Sequence, residues 1–191
     1  MEKGRVEAFT DGVIAVIITI MVLELKPPHE PTWHALRENA HVFLAYVLSF
    51  IYVGIYWNNH HHMLHAVQHV DGSVLWANMH LLFWLSLVPF VTGWVNENFA
   101  PVPVAMYGAV LLMAGVAYYI LERVLIARHG RDSSLARAMG VDYKGLLSVV
   151  IYAVAVVLAF VSPWISCALY VLVAMMWLIP DRRIERMVPR G

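Results

Sequence analysis

Long apolar runs separated by short polar segments dominate this chain. The first, Gly12 through Leu23, follows ionisable residues at Arg5, Glu7 and Asp11 and ends at Glu24, Lys26 and the Pro27-Pro28 pair. A helix over that run alone rises only about 18 Å, short of a hydrocarbon core of about 30 Å. Started at Lys3 or Arg5, it has about 20 residues and is long enough, with Arg5, Thr10 and Asp11 near or within the membrane. Facing lipid would cost such groups several kcal/mol, so the first helix is predicted to be an inner one, surrounded by the others. A secretory signal peptide is the competing assignment. Its n-region would carry Glu2, Glu7 and Asp11 against Lys3 and Arg5, and prolines stand where a small-residue cleavage site belongs.

Thr32 is placed to cap a second helix, whose apolar part from Val42 to Trp57 lacks Asp, Glu, Lys and Arg and ends in Asn58-Asn59-His60-His61-His62. Leu75 to Val95 is a third uncharged run, with Pro89 marking a kink. A fourth follows Pro101 and Pro103 and ends at Leu121, with Ala105, Gly108, Ala109 and Gly115 as a small-residue packing stripe. Arg123 to Lys144 reads as a polar linker, with helix stops at Gly130 and Gly140 and a cap at Asp142. Gly145 to Ile179 is uncharged and is divided by Ser162-Pro163, an N-cap and first-turn pair, into two short spans. The pattern predicts an all-α polytopic membrane protein: one transmembrane domain over residues 1–191, with six helices.

Charge sets the orientation. Six spans put both termini on one side, together with Lys3, Arg5, Arg123, Arg128, Arg131, Arg137, Lys144, Arg182, Arg183, Arg186 and Arg190; the other side has only Lys26 and Arg37. Both termini are therefore expected to be cytoplasmic. Composition agrees with a membrane protein, at 61% hydrophobic and 14% charged residues, where soluble domains are about a quarter charged. The single cysteine, Cys167, lies in an apolar run and reads as a packing residue. Signatures of metalloproteases, serine hydrolases and nucleotide-binding loops are absent, and the basic segments are explained by topology and anionic lipid, so neither an enzyme nor a nucleic-acid partner is indicated.

Two constellations have chemical content. Arg5, Thr10 and Asp11 on the first helix, Trp57, His60 and His61 at the end of the second, and Asn78 early in the third all fall at one membrane depth. There an Asp can accept from His or Asn and be neutralised by Arg, which at the least ties three helices together. Val16, Ile20 and Leu23 lie within about 60° of one another on the first helix, with Thr10 and Asp11 about 120–140° away. A lipid-facing and a core-facing role fit that aliphatic stripe equally well. His61, His65 and His69, spaced by four, form a possible Zn²⁺ or Cu²⁺ face with Asp71 the nearest carboxylate; alternatively the histidines supply pH-dependent charge to a loop lacking Lys and Arg.

Arg5, Phe9, Thr10 and Asp11 spell R-x-x-x-F-T-D, which closely resembles the R-x-x-x-F-S-D signature of the transmembrane protein 175 family, the endosomal and lysosomal potassium channels and their prokaryotic relatives. Thr10 replaces the usual Ser and keeps the hydroxyl. The resemblance extends to W-x-x-H-H at Trp57, His60 and His61, to Asn78, and to L-x-P-F at Leu87, Pro89 and Phe90, in order along the first half of the chain. It implies a potassium-permeable cation channel without a T-V-G-Y-G filter or a cofactor, assembled as a homotetramer of six-helix units around the first helix. The family's narrowest ring, five residues after the signature Asp, falls on Val16. Further apolar rings fall on Ile20 and Leu23, with Thr19 beside them as a contributor to selectivity. Val16 departs from the usual Ile or Leu, which implies a looser constriction and weaker preference for K⁺ over Na⁺.

The expectation is thus a weakly selective potassium-permeable channel in the bacterial inner (plasma) membrane, with monovalent cations and membrane lipid as its partners besides its own copies. A histidine-dependent divalent-metal transporter is the alternative, and a non-conducting scaffold the third. Chelator-insensitive K⁺ flux singles out the first, and metal binding lost on changing His61, His65 and His69 the second.

Overall fold

The computed structural model describes residues 3–67, 69–130 and 143–178. Eight helices are found among them: α1 Lys3–Val22, α2 Trp33–Glu38, α3 Ala40–His65, α4 Gly72–Ser86, α5 Val88–Glu97, α6 Pro101–His129, α7 Tyr143–Leu158 and α8 Pro163–Leu178. No strand occurs among these residues. Three stretches, Ala40–His65, Gly72–Glu97 and Pro101–His129, are long and apolar enough to cross a membrane; α7 and α8 are apolar but shorter. The outer surface is hydrophobic, with Trp76 at one end and Trp164 at the other 79% and 71% exposed, the placement expected of membrane–water interfaces. This is a multi-pass membrane protein.

Several boundaries depart from the sequence expectation. Thr32 does cap a helix, its hydroxyl accepting from the Ala35 N–H at 3.2 Å, but that helix is the six-residue α2. The long helix begins separately at Ala40, and it continues through the Asn-His segment to His65. The third run, by contrast, is kinked as Pro89 leads one to expect, with the interruption at Leu87. Pro89 has no N–H and its ring crowds the carbonyl one turn back, so α4 stops at Ser86 and α5 restarts at Val88. The fourth helix does not stop at Leu121; α6 reaches His129 and ends at Gly130, whose φ of +89° suits a residue without a Cβ. The expected stop at Gly140 and cap at Asp142 lie outside the described residues.

The expectation of an inner first helix requires correction. The helix with neighbours on most sides is α6, which packs against α4, α5, α7 and α8. Its small residues permit this. At Gly108 a Cβ would come within 2.1 Å of the Tyr170 hydroxyl oxygen, so only glycine lets α8 approach so closely. The buried Tyr170 hydroxyl donates to the Val104 carbonyl at 3.1 Å, and the Tyr52 hydroxyl donates to the Tyr170 carbonyl, linking α3, α6 and α8. By contrast α1 packs mainly against α3, α4 and α5 and stays at the rim of the protomer, because one of its faces is aliphatic and exposed among the described residues.

Candidate functional site

Helix α1 has two stripes. Val6, Thr10, Ile14, Ile17 and Met21, spaced by three or four, are buried against the protomer. Arg5, Phe9, Gly12, Val16, Thr19, Ile20 and Leu23 lie along the opposite side and are exposed; Val16, Ile20 and Leu23 are 54%, 47% and 75% accessible. Leu23 sits in the turn that closes the helix, its N–H donating to the Ile20 carbonyl at 3.0 Å. The Thr19 hydroxyl donates back to the Val16 carbonyl at 2.9 Å, which uses its one O–H and leaves the oxygen able to accept.

The buried stripe is tied in by polar contacts at one end. The Asn78 amide of α4 donates from Nδ2 to Thr10 Oγ1 at 2.9 Å and accepts at Oδ1 from His60 Nε2 of α3 at 2.8 Å. A carbonyl oxygen only accepts, so His60 Nε2 carries the proton. All three side chains are buried, where an amide lacking partners would cost several kcal/mol in hydrocarbon. Beside them the Trp57 indole N–H donates to Asp11 Oδ1 at 2.8 Å. Asp11 is thus bonded by Trp57 and not by His or Asn. His61 stacks on Trp57, with ring centroids 5.9 Å apart, and meets His65 edge-on at 4.4 Å.

Two predicted members stand apart. Arg5 lies on the exposed stripe, about 140° from Thr10, and among the described residues it makes no ion pair with Asp11. Phe9 shares that stripe and lines a groove with Val16 and Ile20 of α1 and Pro89 and Phe90 of α5.

The other end of α1 is also anchored, through contacts that the apolar pattern does not signal. The Glu24 carboxylate lies against Gly93 of α5, where a Cβ would meet Oε2 at 2.6 Å. Lys26 Nζ meets Glu97 Oε1 at 3.3 Å. Between α3, α5 and α6, the Ser49 hydroxyl bonds Thr92 Oγ1 at 2.8 Å and the Tyr107 hydroxyl at 2.9 Å; hydroxyls within uncharged runs were the available signal. So α1 is fixed at both ends, with its outward stripe bare between them.

The histidine face does not form as spaced. The helix stops at His65 with Ala66 as its C-cap, and His69 lies beyond the turn, its backbone N–H donating to His129 Nε2 at 3.4 Å. Asp71 is engaged elsewhere: Oδ1 accepts from the Ser73 and Val74 N–H groups as the N-cap of α4, and Oδ2 pairs with Arg128 Nε at 2.9 Å. The Ser73 hydroxyl, the Val74 N–H and Arg128 hold its carboxyl below the usual range.

A family model described as endosomal/lysosomal potassium channel TMEM175 matches residues 5–89, the segment holding both stripes and the polar contacts. A potassium channel of Chryseobacterium sp. strain P1-3 is 53% identical over 97% of this chain and 97% of its own length. This chain belongs to the TMEM175 family. Within that channel family, a potassium channel of Streptomyces collinus is 34% identical over 91% of this chain and 90% of its own. The crystal structure of a lysosomal potassium-selective channel TMEM175 homolog from Chamaesiphon minutus superposes with a TM-score of 0.79, at 28% identity, over 95% of this chain and 97% of that one. These near-full-length matches extend the TMEM175 likeness beyond the residues of the family model, through α6, α7 and α8.

Proposed function

We propose that the chain is a weakly selective, potassium-permeable channel in which four copies surround a pore lined by α1. The observation that carries this reading is the bare aliphatic stripe of Val16, Ile20 and Leu23 on a helix fixed at both ends. Four such stripes facing one axis make a neck that water, and therefore ions, leave when it narrows. Thr19, beside the stripe, adds the polar oxygens from which a preference for K⁺ over Na⁺ derives. Val16 is the narrowest ring, and its short side chain keeps that preference modest. Thr10, Asp11, Trp57, His60 and Asn78 hold the pore helix, and Phe9 and His61 pack beside them.

Each protomer crosses the membrane six times, by α1, α3, the α4–α5 rod, α6, α7 and α8. Sixteen-residue helices such as α7 and α8 rise about 24 Å, a mismatch that local thinning and flanking residues accommodate. The eleven-to-two distribution of Lys and Arg puts both termini in the cytoplasm and suits the bacterial plasma membrane. The permeating ions are monovalent cations, without a cofactor.

The test is K⁺ efflux from liposomes containing the purified chain, together with the stoichiometry and symmetry axis of the complex. Chelator-insensitive flux through a fourfold assembly with Val16 near its axis is expected. An assembly with α1 against lipid, or one without a central passage, overturns the proposal.

A further inference from the structure

On the side of the protomer away from α1, a cleft of about 340 Å³ opens between α3, α6, α7 and α8. That size falls in the range of small-ligand sites. Tyr52, Tyr56, Gly115, Val149, Tyr152 and Trp177 are among its walls. Polar atoms of these walls are engaged within the protein. The Tyr56 hydroxyl donates to the Leu111 carbonyl at 3.5 Å, the Trp177 indole N–H to Ser148 Oγ at 2.8 Å, and the Tyr52 hydroxyl to the Tyr170 carbonyl. Asn59 Nδ2, also at the cleft, donates to the Ile55 carbonyl at 3.0 Å. The interior thus presents hydrocarbon and ring faces and suits an apolar guest.

The rim differs. Arg123 lines the cleft near the end of α6, its guanidinium 4.7 Å from the Tyr119 ring centroid. Lys144 stands at the start of α7, its Nζ 6.0 Å from the Trp177 ring. Leu146, on the same edge, is 66% exposed, so the opening faces sideways, where a membrane protein meets acyl chains. A basic rim over an apolar slot between helices is the chemistry that receives an anionic lipid: one chain in the slot and the phosphate at the cations.

We propose that this cleft binds an anionic phospholipid, with an acyl chain between the tyrosines and its phosphate held by Arg123 and Lys144. That the lipid comes from the cytoplasmic leaflet rests on the orientation proposed above; occupancy of the cleft does not.

Native mass spectrometry of the full chain in detergent tests this, with phosphatidylglycerol and phosphatidylcholine of matched chains as probes. Preferential retention of phosphatidylglycerol is expected. Arg123→Gln leaves the slot open and should weaken retention about fivefold, the worth of one interfacial basic residue. A Cβ at Gly115 would meet the Tyr56 hydroxyl at 3.6 Å and Val149 Cγ2 at 4.0 Å, ordinary contacts, so Gly115→Ala is the tolerated control. Gly115→Leu extends into the slot and should abolish retention of both lipids. Equal retention of the two lipids by the parent protein overturns the proposal, as does unchanged retention in Arg123→Gln, which decides alone should Gly115→Leu fail to fold. Ion flux is not part of the readout, so failure of the channel proposal and failure of this one are separately visible.

Discussion

The Trp57 indole N–H donates to the Asp11 carboxylate at 2.8 Å, joining α3 to α1 beside its exposed stripe. Hydrogen bonds to charged groups contribute about 1.5–3 kcal/mol, less where both partners are partly open to their surroundings. Trp57→Phe keeps the ring stacked on His61 and removes only the donor, while Asp11→Asn keeps an acceptor oxygen. Trp57→Phe and Asp11→Leu should each lower stability and together cost less than their sum, with a coupling of about 1 kcal/mol. Asp11→Asn should stay close to the parent protein. Thermal unfolding in detergent supplies all the values, and strict additivity would mean that the contact does not hold α1.

Asn78 stands between His60 and Thr10, so its loss strands two buried groups at once. Asn78→Ala should destabilise by about 2–4 kcal/mol, from two lost bonds and the unpaired groups left behind. Thr10→Val, which removes one acceptor with little change of volume, should cost about 1 kcal/mol. Denaturant titration ranks them. Equal effects would show that the Thr10 bond carries all of the stabilisation.

The polar contacts at Thr10, Asp11, Trp57, His60 and Asn78 were legible because polar groups in apolar runs need partners, and topology sets them at one depth. Which group meets which was not. Asp11 takes Trp57 rather than a histidine, and Arg5 falls on the far stripe, because pairing follows from the rotation of each helix about its axis. Hydropathy does not encode that rotation when every face is apolar. The four-residue histidine spacing suggested a continuous helix, yet no Gly or Pro marks the stop at Ala66; the nearest sign is Asp71, the cap of the next helix. Charge on α1 pointed to it as the inner helix. The central place belongs to α6, whose Ala and Gly residues allow close approach on several sides.

Asp71 links local capping to pH. Its carboxyl is lowered, first by the Ser73 hydroxyl, then by the Val74 N–H and Arg128. A depressed folded-state value gives stabilisation that is present above the ordinary carboxylate value of about 3.9 and is lost as pH falls through the lowered one. Asp71→Asn can still cap α4 but does not ionise, so its stability should change less with pH below about 4 than that of the parent protein. Asp71→Ala loses cap and ion pair and should be the less stable variant at neutral pH. Melting temperature measured against pH distinguishes them, and parallel profiles for Asp71→Asn and the parent would exclude this role.

Gly108 and Tyr170 set how closely α6 and α8 approach. A methyl at position 108 would lie 2.1 Å from the hydroxyl oxygen and 2.7 Å from Cζ, and Tyr170 is buried with nowhere simple to move. Gly108→Ala should cost about 1–3 kcal/mol by overpacking. Adding Tyr170→Phe removes the nearest atom and should recover part of that loss, although the bond to the Val104 carbonyl goes with it. The double variant melting above Gly108→Ala is the expected result; melting below it would place the strain elsewhere.

Val16 tests the pore. Its side chain is 54% exposed on a stripe with Ile20, while Ile17 on the other face is buried. Changes at Val16 should therefore alter conduction with little effect on folding, and changes at Ile17 the reverse. In the proposed tetramer, Val16→Ala shortens one side chain per subunit and so widens the aliphatic ring, lowers the cost of keeping water in the neck, and should give severalfold larger and less selective currents. Val16→Leu narrows the same ring and should reduce them. Ile17→Ala opens a cavity within the protomer and should cost about 2–4 kcal/mol of stability. Single-channel recording in bilayers, paired with melting curves, reads both effects. Parent-like conductance in both Val16 variants, with the assembly intact, would place the constriction away from this stripe.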